Sequence, residues 1–177
     1  PTKQKRYYFC RYEFRKHVLK KGLITMAIRN IIKSDDDRLF KKSRPVEKFD
    51  ERLHTLLDDM AETMYAADGV GLAAVQVGIL RRAVLVDCGD GLLELVNPKI
   101  VGQSGEQEEV EGCLSFPGEY YFTRRPNSVI VEAQDRFGKT FRVKGEGLKA
   151  RAFCHELEHL DGVVFKDNAI GKAEIEQ

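Results

Sequence analysis

No apolar run in this 177-residue chain approaches the ~18 residues that a membrane-spanning helix needs, which excludes such a helix. A secretory h-region is missing, and residues 1–25 contain no serine, which argues against an organelle transit peptide. Cysteine is sparse. Cys10, Cys88, Cys113 and Cys154 show no disulfide-framework spacing, so a reducing, cytoplasmic setting is expected. Internal repeats and low-complexity stretches are absent, and the length suits one domain better than two. Net charge is nearly absent at +1, but it is unevenly spread. Residues 1–25 hold eight Lys/Arg against the single acid Glu13, while the remainder carries 21 basic and 27 acidic residues. An acidic body is not a DNA-binding footprint. The basic segment reads as a targeting peptide, as an arm for a polyanion such as ribosomal RNA, or as an extension outside the folded domain, and the last is the expectation.

What is present is a helix–strands–helix pattern. Residues 31–48 form an irregular lead-in. Leu53, Leu56, Leu57, Met60, Ala61, Met64 and Tyr65 recur at helical spacing behind Asp50, a suitable N-cap, and Gly69 and Gly71 are expected to end that helix. Ala83–Val86 and Leu92–Val96 read as strands around Cys88-Gly-Asp-Gly91, with Asn97-Pro98 stopping the second. Glu106–Glu109 reads as a solvated stretch. Ser128–Glu132 and Thr140–Val143 form a hairpin through Asp135–Gly138. Gly147–Leu160 is a second helix, apolar on more than one face and therefore buried, with Gly162 placed as its left-handed cap. His54 has no identifiable partner. The class is α+β, with antiparallel sheets packed around the second helix.

That helix carries His155-Glu156-Leu157-Glu158-His159. Imidazoles at i and i+4 share one helix face and can reach one metal ion. Glu156 lies about 100° round the helix, near enough to act on a metal-activated water without being a ligand. The motif is rare by chance in a chain with only four histidines. A catalytic site usually has three protein ligands. Cys113 is chemically apt as the third, but it lies far upstream, and spacing alone does not select it. Cys154 points away from the histidine pair and reads as structural.

Three motifs together carry a resemblance: Gly69-Val-Gly-Leu-Ala-Ala-Val-Gln76, Glu111-Gly-Cys-Leu-Ser115 and His155-Glu-Leu-Glu-His159-Leu-Asp-Gly162. In that order they resemble the bacterial type of peptide deformylase, over about Met26 to Asp167. Two positions depart from the family pattern, Val75 (usually Pro) and Cys154 (usually Gln). The resemblance implies a basic extension 1–25 followed by a single catalytic domain over 26–177. It further implies metal-dependent hydrolysis of the N-formyl group from formyl-methionine on new polypeptides, releasing formate.

The implied metal ligands are Cys113, His155 and His159, with Glu156 shuttling the proton and Gln76 and the Leu114 backbone N–H stabilising the oxyanion. Gly69, Val70 and Gly71 would present backbone to an extended peptide, and Leu148 with Val70 would line a methionine pocket. Glu111 would shape the site without binding metal. The implied ion is Fe²⁺, whereas a Cys-His-His set also suits Zn²⁺, Ni²⁺ or Co²⁺. Implied partners are nascent formyl-methionyl chains, with transient ribosome contact, no DNA, no membrane, and a monomeric state. Two other classes fit parts of the pattern: a zinc metallopeptidase, and a non-catalytic member binding nascent chains through the basic arm.

Overall fold

The computed structural model describes residues 27–174. The expected extension 1–25, its junction at Met26, and the last residues of the expected 26–177 domain lie outside the described residues.

The first helix, α1 (Glu51–Ala66), starts as its sequence demands: extended Asp50 accepts from the backbone N–H groups of Arg52 and Leu53. Its stop differs from the expectation. Asp68, not a glycine, takes the left-handed position at φ 54°. Asp68 N–H donates to Tyr65 O and Gly69 N–H to Met64 O, which satisfies the last carbonyls. Asp tolerates that conformation through its short polar side chain.

Among the described residues, eight strands form two antiparallel sheets. The larger holds β1 (Gly71–Ala73), β2 (Ala83–Val86), β3 (Leu93–Ser104), β6 (Ser128–Gln134) and β7 (Thr140–Glu146), in the order β1-β2-β3-β6-β7. The smaller holds β4 (Gln107–Cys113), β5 (Phe116–Arg125) and β8 (Ala169–Lys172). The expected α+β class is correct. Strand β2 explains its unbroken apolar run. Val84 and Val86 pack with the second helix, α2 (Leu148–Leu160), while Ala83 and Leu85 pack with Leu57, Met60 and Met64 of α1. Full burial of such side chains contributes roughly 1.5–3 kcal/mol each.

The second strand does not stop at Asn97-Pro98. β3 continues to Ser104 through a register shift, with Asn97 at φ 50°. The Asn97 side chain pins this irregularity: it accepts from Val46 N–H and donates to Val46 O and Gln134 Oε1. A proline lacking its N–H is tolerated at such an irregularity. Gln107–Glu109 were expected as a solvated stretch. They are largely solvent-facing, but they belong to edge strand β4, where Glu108 pairs with Arg124 of β5. His54 has a partner after all: its Nε2 lies 2.9 Å from the Arg136 carbonyl in the β6–β7 turn, and its ring packs edge-on against Phe137.

Helix α2 rests on the larger sheet through Ala150, Phe153, Leu157 and Leu160, and its polar side meets β4 and β5. Gly162, at φ 76°, closes it: Gly162 N–H donates to His159 O and Val163 N–H to Glu158 O. A Cβ there would lie 2.5 Å from the Phe40 carbonyl oxygen. Gly162→Ala is therefore expected to destabilise the fold by at least the about 1–2 kcal/mol of a left-handed L-residue. Denaturant titration checks this, and an unchanged midpoint would refute it. No helix among the described residues is long and apolar enough to cross a membrane.

Candidate metal centre

The sheets bring three segments to the inner face of α2. His155 and His159, one turn apart, have ring centroids 5.0 Å apart at 72°. Cys113 ends β4, and its Sγ lies 3.3 Å from His159 Nε2. The sulfur and one ring nitrogen from each histidine fall within 4.8 Å of one another, the one such Cys/His/acid group of three among the described residues. The convergence comes from the β4–β5 hairpin, whose register slips between Gly112 and Cys113 and so re-aims the cysteine.

The His155 ring and the Gln76 amide are each oriented by a partner, whereas His159 Nδ1 has none among the described residues. His155 Nδ1 donates to Glu111 Oε2 at 3.0 Å, which leaves Nε2 facing the cluster. Glu111, itself 3% exposed, also accepts from Arg125 Nε at 2.9 Å and Nη2 at 3.1 Å. Arg125 reaches on to Glu158, and Asn168 Nδ2 donates to the same carboxylate. Burial alone would raise the Glu111 pKa, but the hydrogen bonds from His155 and Arg125 win and hold it well below the usual carboxylate range. For His159 burial dominates and pushes its pKa well down, favouring the neutral ring. For His155 burial works the same way, yet the hydrogen bonds with Cys113 and Glu111 raise its pKa. A proton and a metal ion compete for such a lone pair.

Gln76 sits in a 3-10 turn, Ala74–Val77, directly after β1. Ala73 N–H donates to its Oε1 at 2.9 Å, which turns its amide nitrogen towards Ser115 Oγ (3.2 Å) and Cys113 Sγ (3.5 Å). Leu114 lies in the tight turn between β4 and β5, and Lys33 Nζ donates to its carbonyl at 2.8 Å. Glu156 is 5% exposed, and its Oε2 has no hydrogen-bond partner among the described residues. Burial raises its pKa to about 7, against the opposing influence of His155. Cys154 is buried in the core on α2, and burial pushes its thiol up to about 11. Val75 lies in the same apolar cluster, so both departures from the family pattern are core positions.

A cleft of ≈ 890 Å³ opens beside these groups. It runs between β4 and the first turns of α2, with Gly69, Val70 and Gly71 on its rim and Leu148, 53% exposed, among its lining residues. Every residue expected at the site borders this cleft except His159, which is fully buried. Sequence reasoning missed Arg125, Glu158 and Ser115. Nothing in the local sequence of Arg124-Arg125-Pro126 distinguishes the buried guanidinium from the exposed one.

The family described as polypeptide deformylase matches residues 28–174. A peptide deformylase of Caldicellulosiruptor bescii is 56% identical over 155 residues, covering 86% of this chain and 93% of the relative. One from Acetivibrio thermocellus is 57% identical over 145 residues, covering 82% and 85%. Among solved structures, a peptide deformylase from Legionella pneumophila superimposes with a TM-score of 0.78 at 48% identity, over 80% of this chain and 86% of that one. The Thermotoga maritima peptide deformylase gives 0.78 at 40% identity, over 80% and 97%.

Proposed function

The chain belongs to the polypeptide deformylase family and is a metal-dependent hydrolase, and from that premise we propose that it removes the formyl group from N-terminal formyl-methionine of new polypeptides, releasing formate. The observation that carries this reading is the convergence of Cys113, His155 and His159 beside a buried Glu156 and an aimed Gln76 amide.

The donor set fits one divalent ion. Three ligands at ~2.0–2.3 Å from a common centre would be spaced about as closely as these atoms are. When bound, the ion lowers the pKa of water and polarises the substrate carbonyl. Of the candidates, we infer Fe²⁺ from the resemblance to bacterial members, although the ordinary affinity order favours Zn²⁺ in competition.

The remaining chemistry belongs to the chain. Glu156, with its pKa near 7, takes a proton at its carboxylate and returns it to the departing amine. Gln76 Nε2 and the Leu114 N–H donate to the developing oxyanion; the neutral amide, held through Oε1 by Ala73 N–H, releases its long contact with Cys113 Sγ to do so. Gly69, Val70 and Gly71 pair with the extended peptide backbone, and Val70 with Leu148 receives the methionine side chain. Glu111 and Arg125 hold His155 in its ligand orientation.

The test is formate release from formyl-methionyl peptides, with metal analysis of the same preparation. Metal-loaded protein that releases no formate would sink the reading.

We further propose that the folded unit begins at about Ala27, whose N–H donates to Asp59 Oδ1 while the Arg29 side chain pairs with Asp59 on α1. Deleting residues 1–25 is expected to leave the melting temperature and activity on short formyl peptides unchanged. An insoluble or inactive truncation would refute this. A ribosome-binding role for the basic segment would appear separately, as lost co-sedimentation with ribosomes.

A further inference from the structure

Gly71 lies in β1 opposite Val86, is buried, and is not among the glycines with left-handed φ. Its backbone conformation therefore does not call for glycine. The space around it does. A Cβ added at Gly71 would lie 2.5 Å from Glu156 Oε1 and 2.8 Å from both Glu156 Cδ and Cγ, closer than real Cβ atoms approach. Gly69 differs, because an added Cβ there would chiefly meet Leu114 Cδ1, the end of a flexible side chain that can turn aside. At Gly71 the clash runs along the Glu156 side chain, from its carboxylate back to Cγ, and that side chain is 5% exposed. Glu156 Oε2 has no hydrogen bond to hold it, so the walls of its slot fix where the carboxylate stands.

We infer that Gly71 is a positioning residue for Glu156: its missing side chain is the slot that lets the carboxylate stand beside Cys113, His155 and His159. This rests on the reading of Glu156 as the proton carrier. Backbone pairing with substrate is a separate role for the same residue, and the two make different kinetic demands. A residue that acts only through the peptide backbone raises KM, whereas one that places the proton carrier lowers kcat.

The experiment is a double-mutant cycle in metal-loaded protein, combining Gly71→Ala with Glu156→Ala and measuring kcat, KM and bound metal for all four proteins. Gly71→Ala is expected to keep its metal, change KM less than threefold and lose about 10–100-fold in kcat, within the range a positioned proton-transfer group supplies. In the Glu156→Ala background, the same substitution should cost less than twofold of the residual rate, because no carboxylate remains to be displaced. Losses that multiply across the cycle, or a loss confined to KM, would overturn the inference. If Gly71→Ala proves insoluble while the double variant folds and binds metal, the clash is with Glu156 and the inference stands. Insolubility of both overturns it. Failure of the underlying reading looks different: there Glu156→Ala alone would leave kcat intact.

Discussion

Glu156→Gln is expected to bind its metal at wild-type stoichiometry and to lose about 10²–10⁴-fold in kcat, the ordinary worth of a positioned general acid–base group. The substitution keeps the shape of the side chain, so the slot against Gly71 stays filled and the histidines on either side keep their helix positions. It removes the ability to accept a proton. Folding should not suffer. A neutral amide of equal volume fills the same buried slot. The melting temperature is therefore expected to change little while turnover collapses. Metal analysis, thermal unfolding and formate release on one preparation check all three. A variant with near wild-type kcat would remove Glu156 from the mechanism, and lost metal would mean that it supports the ligands instead.

The parts of the fold that were legible in the sequence are those where one physical signal dominates. Helix α1 shows a helical apolar period behind Asp50, and the structure caps it there. The β6–β7 hairpin was readable because Gly138 supplies a left-handed φ and Asp135 Oδ1 accepts from the N–H groups of Phe137 and Lys139. Strands β4, β5 and β8 were not readable as strands. β4 and β8 are edges whose charged or small residues face water, and apolar alternation is weak in each. The extension of β3 was hidden because Asn97-Pro98 signals a stop. Only tertiary context, with Val46 and Gln134 within reach of the Asn97 side chain, holds the irregularity that the strand continues through.

The candidate site divides in the same way. His155, Glu156 and His159 are local in sequence, and helix geometry alone places them together. Cys113 depends on a hairpin that brings a distant segment against α2, so its chemistry was visible while its proximity was not. Arg125 and Glu158 were invisible because ion-pair partners are chosen by packing. Gly71 carried the opposite signal: a glycine after a helix suggests a turn, yet the need for it arises from Glu156, which lies far along the chain.

Cys113→Ala is expected to reduce bound metal from one ion per chain to a small fraction. Two imidazoles alone leave the ion one protein ligand short of the usual three, and they lose the thiolate, the donor best matched to a soft or borderline metal. The effect should reach the fold, because an ion bound only to the native state stabilises it by mass action. At a free metal concentration about 1,000 times Kd that contribution is about 4 kcal/mol, which for a chain of this size corresponds to a melting-temperature loss on the order of 10 °C. The side-chain change itself is small, since Cys113 is only partly buried. Wild-type protein stripped by chelator should therefore melt close to the Cys113→Ala variant. Cys154→Ala separates the metal's contribution from the generic cost of losing a thiol. That thiol is buried in the core and pushed to about 11, so its replacement should cost packing energy and leave the metal in place. If Cys113→Ala instead keeps stoichiometric metal and its wild-type melting temperature, the ligand set is wrong. The sulfur 3.3 Å from His159 would then be a hydrogen-bonding neighbour only.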